Sequence, residues 1–377
     1  MKTLGLYLHI PFCKSKCLYC DFCSFPRPKE ETVNAYVDAL CRDLQSRGER
    51  CRGYTVDTLY LGGGTPTLLS EEQMTRVMQA VRDAFLLAPD AEITAECNPR
   101  TGDPAYFRHL RALGFNRLSI GLQSAHRNEL KALGRTHTLD DFCRTAESAR
   151  EAGFANLSAD VMLGIPHQTK ESYLDTLRAL LALSPDHVSA YGLSVEEGTP
   201  FGRMGDRLVL PDEEQTREMY LLGATLLEAN GLLQYEISNF AKKGYESRHN
   251  LKYWNCEEYL GFGPAAYSDL FGERFGNSRD LAAFLAGRDI TAERETPSRE
   301  ERLQEYVMLR LRLTEGIVEE DFSARFGTSF ADRFSAPLAP YLARGLVLRT
   351  KDGYALSREG MLLSNAILSD LLDFSQV

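Results

Sequence analysis

Short runs rich in apolar and β-branched residues alternate with longer stretches of helical periodicity over the first 230 residues. The short runs predict six strands, at residues 4–10, 56–63, 91–97, 117–124, 156–165 and 187–195. The periodic stretches predict helices at residues 32–47, 70–85, 104–114, 169–183 and about 211–230, with further helices up to residue 152. Local signals support these bounds, because Ser70 and Gln73 have capping-box spacing and Pro104 begins a helix.

Six successive β-then-α units predict a parallel sheet. Closing that sheet, fully or partly, gives a barrel, so we expect an α/β fold with a partial (β/α)6 TIM-like barrel over residues 1–230. The functional site of such a barrel lies at the C-terminal ends of its strands. Residues 231–297 show no clean helical period and predict a connecting region. Residues 298–377 predict three helices, a hairpin at 346–357 and a final helix, which indicates a smaller α+β, winged-helix-like domain.

The composition is typical of a soluble globular protein, with 44% hydrophobic and 25% charged residues. The net charge is −10, and residues 299–377 hold ten basic against twelve acidic residues, so we expect no nucleic-acid binding. The N-terminus lacks the features of a signal peptide, and no apolar run approaches the length of a membrane span. We therefore expect a cytoplasmic protein.

The stretch PFCKSKCLYCDFC places four of the nine cysteines, Cys13, Cys17, Cys20 and Cys23, close together. An odd number of cysteines in an intracellular chain argues against a disulfide framework. The remaining five are scattered singly and are expected to be core or incidental thiols: Cys41, Cys51, Cys97, Cys143 and Cys256.

Two kinds of metal centre suit the cysteine loop. Zinc needs four ligands, usually in two pairs, and His9 or Cys23 would have to complete the set. Three thiolates on one loop, Cys13, Cys17 and Cys20, better suit three irons of a [4Fe–4S] cluster whose fourth iron stays open to a small molecule.

Polar and glycine residues stand at the ends of the other predicted strands, where a barrel places its ligand. Glycines let backbone groups approach a ligand closely, and a carboxylate or amide at a strand end can hydrogen-bond to a ligand. An arginine in the LGRTH stretch can pair with a carboxylate in bidentate fashion. These candidates are Gly63, Gly64, Glu96, Gln123, Arg135 and Asp160.

The C-x3-C-x2-C spacing after the first strand resembles the radical S-adenosylmethionine (SAM) superfamily. Within it, YLHIPFCKSKCLYCDF, GGGTPT, ECNP, SIGLQS, LGRTH and DVMLGIPHQT resemble the oxygen-independent coproporphyrinogen III dehydrogenase family, the HemN group, and residues 298–377 resemble its C-terminal domain. The resemblance implies a [4Fe–4S] cluster with SAM at its open iron. It further implies that SAM contacts Tyr7, Tyr19, Gly63, Gly64, Thr65, Glu96, Gln123, Arg135 and Asp160, with Ser194 as an additional candidate.

Three features make the chain more similar to the heme chaperones of this family than to its dehydrogenases. Phe22 stands where the dehydrogenases carry a further cysteine, and their long segment before the cluster loop is missing here. HNLKYW matches the chaperones' H-N-x-x-Y-W motif, so His249 is the expected heme ligand, with Tyr253 and Trp254 stacking on the macrocycle. A packed loop with a hydrogen-bonded histidine is the plainer interpretation of that motif.

From this resemblance we expect a carrier that binds heme and passes it to an unidentified acceptor protein. The alternative is a SAM-dependent coproporphyrinogen III dehydrogenase. A homodimer, and contact with a membrane through a partner, are further expectations.

Overall fold

The structure is a computed structural model, and it describes residues 2–372. Its strands are β1 (Lys2–Ile10), β2 (Phe12–Cys13), β3 (Phe25–Pro26), β4 (Tyr54–Gly63), β5 (Leu87–Cys97), β6 (Arg117–Gln123), β7 (Asn156–Leu163), β8 (His187–Gly192), β9 (Leu233–Gln234), β10 (Asn239–Ala241), β11 (Tyr259–Phe262), β12 (Tyr267–Leu270), β13 (Glu273–Asn277), β14 (Thr291–Glu295), β15 (Ile317–Val318), β16 (Val347–Arg349) and β17 (Gly353–Leu356). Its helices are α1 (Glu30–Gly48), α2 (Glu71–Ala84), α3 (Pro104–Ala112), α4 (Arg127–Ala132), α5 (Leu139–Glu151), α6 (Lys170–Leu181), α7 (Pro200–Met204), α8 (Glu213–Ala229), α9 (Arg248–Trp254), α10 (Leu281–Leu285), α11 (Arg299–Arg310), α12 (Glu319–Phe326), α13 (Phe330–Ala343), α14 (Arg358–Leu362) and α15 (Ser364–Leu371).

One sheet of twelve strands dominates the described residues, in the order β14-β13-β12-β11-β1-β4-β5-β6-β7-β8-β10-β9. The six predicted strands are β1, β4, β5, β6, β7 and β8, and they form consecutive parallel pairs. The predicted α/β class with a parallel-rich sheet is therefore confirmed. The sheet ends at β14 and β9, which are not paired with each other, so the barrel is partial in the described residues.

The helices that follow these strands cover the outer face of the sheet and bury the main core with it. The predicted capping box is present at the start of α2, where Ser70 and Gln73 exchange hydrogen bonds between side chain and backbone. Polar residues of the parallel strands then face the inside of the partial barrel. β6 is buried along its whole length although it begins with Arg117 and ends with Gln123.

Residues 231–297 add strands to both edges of the sheet. β10 pairs antiparallel with β8, while β11 pairs parallel with β1 and adds a seventh parallel strand. β12, β13 and β14 continue the sheet as antiparallel strands. The sequence did not predict these elements because each strand spans two to five residues, too few to display a period.

The C-terminal region has its own hydrophobic core and a three-stranded sheet in the order β15-β17-β16. Its elements follow the order α11, β15, α12, α13, hairpin β16–β17, α14 and α15, which matches the predicted helices and hairpin and adds one strand and one helix. Met1 and residues 373–377 of the predicted domains lie outside the described residues. Within residues 2–372, no helix combines the length and apolar character needed to cross a membrane.

Candidate functional site

A cavity of about 500 Å³ lies inside the partial barrel. It brings together residues that are far apart in sequence, and most of the predicted site residues line it. These are Cys13, Cys17, Tyr19, Cys20, Gly63, Gly64, Glu96, Gln123, Arg135, Asp160 and Ser194. The strand ends and the cysteine loop thus meet at one place, as a parallel barrel requires.

The cluster loop, residues 13–23, follows β1 and is fixed by contacts with distant segments. The Leu18 N–H donates to the Leu133 carbonyl at 3.1 Å, and the Leu18 carbonyl accepts from the Phe201 N–H at 3.0 Å. Gly134 has φ +76°, and a Cβ there would lie 3.0 Å from Leu18 Cγ. The loop therefore packs on a position that favours glycine.

The thiols of Cys13, Cys17 and Cys20 are free and partly buried. Burial raises the pKa of the Cys13 and Cys20 thiols, so a positively charged group is needed to hold them as thiolates. Within residues 2–372, no three His, Cys, Asp or Glu side chains converge on a single metal-ion site. A [4Fe–4S] cluster binds its cysteines at separate irons, so three thiols spread around one cavity fit it.

Cys13 is supported by a chain of hydrogen bonds that leads to Arg135. The Thr65 hydroxyl donates to Cys13 Sγ at 3.8 Å, and Asn98 Nδ2 donates to Thr65 Oγ1 at 2.7 Å. Arg135 Nη1 donates to Asn98 Oδ1 at 2.6 Å. Asn98 was not predicted as a site residue from the sequence. It lies in the ECNP stretch, two residues after Glu96, and this position could have indicated it. Asn98 thereby connects the cluster loop to the SAM candidates.

Arg135 combines a fixed position with a free donor. Its Nη2 donates to the Tyr19 hydroxyl at 2.8 Å, and burial raises the pKa of Tyr19 to about 12, so the phenol stays neutral. Its Nε is buried and has no hydrogen-bond partner among the described residues. A carboxylate entering the cavity can meet that donor, which fits the predicted role of Arg135.

Glu96 is held by two donors inside the cavity. Its Oε1 accepts from the Tyr60 hydroxyl at 2.9 Å and its Oε2 from the Gly63 N–H at 3.0 Å. Burial, and then the charge of Asp160, raise the pKa of Glu96 to about 7. Glu96 therefore changes protonation near neutral pH.

The two glycines after β4 are required by close backbone packing. Gly63 has φ +104°, and a Cβ there would lie 2.4 Å from His9 Cε1. At Gly64 a Cβ would lie 2.5 Å from the Phe12 carbonyl oxygen. No side chain fits at either position, so backbone groups form this wall of the cavity.

Gln123 and Asp160 face the same space from β6 and β7. Gln123 has φ +66°, a conformation uncommon for residues other than glycine. Asp160 Oδ1 accepts from the Ser119 hydroxyl at 3.0 Å, and burial raises its pKa. Ser194, predicted at the end of the sixth strand, lies two residues past β8 and donates to Glu196 Oε1 at 2.6 Å.

Tyr7 lies behind the cavity lining rather than in it. Its hydroxyl forms a 3.0 Å hydrogen bond with His9 Nδ1, and its ring stacks on Tyr60 with the centroids 6.2 Å apart. His9 Nε2 in turn bonds the Cys23 carbonyl at 2.7 Å, so both of its ring nitrogens have partners. Cys23 is buried, and its Sγ lies 3.9 Å from the Arg279 carbonyl oxygen.

His249 is buried on α9, with both ring nitrogens in hydrogen bonds. Nδ1 bonds the Thr58 hydroxyl at 2.9 Å and Nε2 the Tyr253 hydroxyl at 2.8 Å. Burial, then the charges of Lys252 and Arg117, lower the pKa of His249 to about 3, so its imidazole is neutral. The next residue of the motif, Asn250, lines the cavity.

The aromatic residues of the same motif pack inside the protein. The Tyr253 ring lies edge-on to Tyr259, with the centroids 4.6 Å apart. The Trp254 ring is covered by the Arg312 guanidinium, 4.4 Å from its centroid, and its Nε1 is buried without a partner in the described residues. Both rings are therefore engaged with other side chains of the protein.

Comparisons with known proteins agree with this site. A model of the Radical SAM superfamily matches residues 7–180, and a model of the HemN C-terminal domain matches residues 298–363. Together with the parallel sheet and the cavity lined by thiols, these matches define a protein of the radical SAM superfamily.

The family within that superfamily follows from the relatives. Proteins named heme chaperone HemW from Bacillus subtilis (strain 168) and Escherichia coli (strain K12) are each 36% identical to this chain. The first match covers 97% of this chain and 98% of the relative, and the second covers 98% of each. The solved structure of coproporphyrinogen III oxidase (HemN) from Escherichia coli matches with a TM-score of 0.87 at 26% identity, over 98% of this chain and 90% of that chain. The chain belongs to the HemW family.

Proposed function

We propose that this protein is a heme chaperone, which binds heme and delivers it to an acceptor protein while carrying a [4Fe–4S] cluster with SAM. The observation that carries the proposal is the similarity to the HemW relatives over nearly the full length of both chains. The cavity supports it independently, because three thiols and a free arginine donor line the same space.

Each group around the cavity has a distinct task in this proposal. Cys13, Cys17 and Cys20 hold the cluster. When bound, the cluster supplies an open iron for SAM and an electron. Arg135 pairs with the carboxylate of SAM through its free Nε, while the Glu96 carboxylate accepts hydrogen bonds from the ribose hydroxyls of SAM. The proposed SAM site is completed by further lining residues: Tyr19, Gly63, Gly64, Gln123, Asp160 and Ser194. Tyr7 and Thr65 support it from behind the lining, through His9 and Cys13.

His249 is our candidate for the heme ligand. Its imidazole is neutral at physiological pH, as iron ligation needs, because burial lowers its pKa to about 3. Ligation requires that His249 exchange its bond to Tyr253 or Thr58 for the iron. Heme binding through His249 therefore includes a rearrangement of α9.

A heme titration followed by the Soret band tests this proposal on anaerobically reconstituted protein. We expect His249→Ala to weaken binding and to shift the Soret maximum, because an axial ligand is lost. His187→Ala is a matched control, since His187 is also buried and bonds hydroxyls of Ser158 and Tyr235 at 2.8 Å each. Equal spectra for the His249 variant and the wild type would remove His249 as the ligand. Absence of heme binding by the wild type would refute the chaperone function.

The second candidate function is a SAM-dependent coproporphyrinogen III dehydrogenase. The likeness to the HemN structure favours it, with a TM-score of 0.87. Incubation with SAM, a reductant and coproporphyrinogen III decides between the two. Formation of protoporphyrinogen would establish the enzyme, whereas heme transfer to an acceptor without turnover would support the chaperone.

The identity of the acceptor, a homodimer, membrane contact through a partner and a cytoplasmic location stay predictions. Size-exclusion chromatography with light scattering tests the dimer. Affinity capture with the heme-loaded protein, compared with heme-free protein, tests for an acceptor that binds only the loaded form.

A further inference from the structure

Arg117 is a buried cation inside the barrel that the proposed cluster and SAM sites do not use. Its side chain is 2% exposed and lines the cavity. Within residues 2–372 its guanidinium forms no ion pair, and its Nε has no hydrogen-bond partner. A buried charge without a partner costs several kcal/mol, roughly, so a fold that keeps one usually supplies it with a ligand.

The acidic groups nearest to Arg117 are committed elsewhere. Glu92 receives the backbone N–H groups of Arg248 and His249, at 3.2 and 3.1 Å. Asp160 accepts from the Ser119 hydroxyl at 3.0 Å. These carboxylates favour the charged form of Arg117 through space and offset the effect of its burial, but neither forms an ion pair with it among the described residues.

Arg117 lies away from Arg135, the residue proposed to pair with the carboxylate of SAM, although its charge acts on Glu96 and Asp160. Arg117 begins the seven-residue strand β6 and Gln123 ends it. A strand of that length spans about 20 Å. Arg135, which is proposed to pair with the carboxylate of SAM, contacts Asn98 and Tyr19 at the end near the cluster loop. A carboxylate bound at Arg117 would therefore be a different one.

Asn250 lines the cavity as well, and no hydrogen bond of its side-chain amide occurs among the described residues. It directly follows His249 at the start of α9. The charge of Arg117 acts on His249, the residue before Asn250. An arginine and a free amide that line one cavity are a donor set suited to a carboxylate. The same end of the cavity thus adjoins the candidate heme ligand.

We propose that Arg117 and Asn250 form a carboxylate subsite at the floor of the cavity, which binds a propionate group of heme. The inference rests on the proposed heme function and adds which chemical group of heme the protein recognises. It also assigns the Asn of the H-N-x-x-Y-W motif to the propionate. The methionine carboxylate of SAM is also a carboxylate, so the test must distinguish binding of a heme propionate from binding of SAM.

The test compares hemin with hemin dimethyl ester, whose propionates are esterified, on the full-length reconstituted protein. We expect the wild type to bind hemin about tenfold or more tightly than the diester, because a charge-assisted pair is lost in the ester. Arg117→Met should weaken hemin binding by about the same factor and leave diester binding unchanged. Asn250→Asp, which presents a carboxylate of its own to Arg117, should have the same effect. SAM binding is compared by equilibrium dialysis in a Glu96→Gln background, because Arg117 lowers the pKa of Glu96, and it should be the same with and without Arg117→Met. Arg144→Met, at an exposed ion pair with Asp141, is the control and should bind both ligands as the wild type does.

Equal affinity of the wild type for hemin and its diester would overturn the subsite while leaving the chaperone function intact. Loss of SAM binding rather than hemin binding in Arg117→Met would assign the subsite to SAM and refute the propionate. If the wild type bound neither heme, the proposed function itself would fail. The ligand comparison on the wild type remains decisive even if Arg117→Met does not fold.

Discussion

Replacing Glu96 by Gln gives a quantitative test of the cavity. The carboxylate is buried, accepts from Tyr60 and Gly63, and has its pKa raised to about 7 by burial and by the charge of Asp160. Glutamine keeps the shape and one acceptor but does not ionise. The difference in unfolding free energy between the two proteins therefore isolates the titration of Glu96.

The sign follows from the raised pKa. Between the ordinary value of 4.5 and about 7, the unfolded chain has released the proton that the folded protein still holds. The contribution of Glu96 to stability is thus fully present below pH 4.5 and is lost as the pH rises towards 7. The loss over that whole range is about 3 kcal/mol, of which about 2 kcal/mol falls above pH 5.5.

The assay is anaerobic urea unfolding of wild type and Glu96→Gln, without SAM, from about pH 5.5 to pH 8.5. We expect the wild type to lose about 2 kcal/mol relative to the variant over this range. Asp160→Asn should make this loss smaller, because removing the neighbouring charge lowers the pKa of Glu96. If the difference in unfolding free energy between the wild type and Glu96→Gln were the same at every pH, the environment described for this carboxylate would be wrong.

The remaining predictions concern the ligands and the cluster loop. In equilibrium dialysis, SAM should bind about tenfold more weakly at pH 6 than above pH 8, because protonated Glu96 accepts fewer hydrogen bonds. Glu96→Gln should abolish this pH dependence. Cys17→Ser should lose most of the iron and the visible absorption after reconstitution, whereas Cys23→Ser should keep both; equal losses would make Cys23 a ligand. Gly134→Ala should cost about 1–2 kcal/mol of stability for its positive φ and also lower iron retention, because its Cβ presses on the cluster loop. Gly153→Ala, with φ +91° and a nearest contact of 4.0 Å, should cost stability alone, so an equal loss of iron in both variants would contradict this packing.

The sequence was most informative where its pattern was long. β5, β6 and β7 each have at least seven residues, and the helices α3, α5 and α6 of the same units begin with side-chain caps. Their ends could therefore be located and the polar residues there assigned to one site. Their convergence is a consequence of parallel topology, which places every C-terminal strand end on the same side. Glu96, Gln123 and Asp160 therefore meet in one cavity even though they are far apart in the chain.

Asn98 and Arg117 were missed for a different reason. Their importance lies in partners that only the folded protein brings together, such as Thr65 and Arg135 around Asn98. Arg117 at the first position of a buried strand looks like a surface residue in the sequence. Its burial without an ion pair among residues 2–372 is what marks it in the structure. Polar residues that act through tertiary contacts leave no periodic signal.

If His249 is the heme ligand, as proposed above, the position of α9 determines what heme binding must involve. The helix is capped by Ser247, its first N–H groups are held by Glu92, and Lys252 pairs with Asp57 at 3.0 Å and with Glu257 at 2.9 Å. Exposing His249 breaks part of this network, and the open state is populated only as far as that free energy allows. If opening costs about 3 kcal/mol, the apparent affinity for heme is about a hundredfold below the intrinsic one. This cost of opening favours heme release, because closure of α9 restores the buried contacts and their free energy when heme leaves. The contacts that bury His249 in the heme-free protein then also favour delivery of heme to an acceptor.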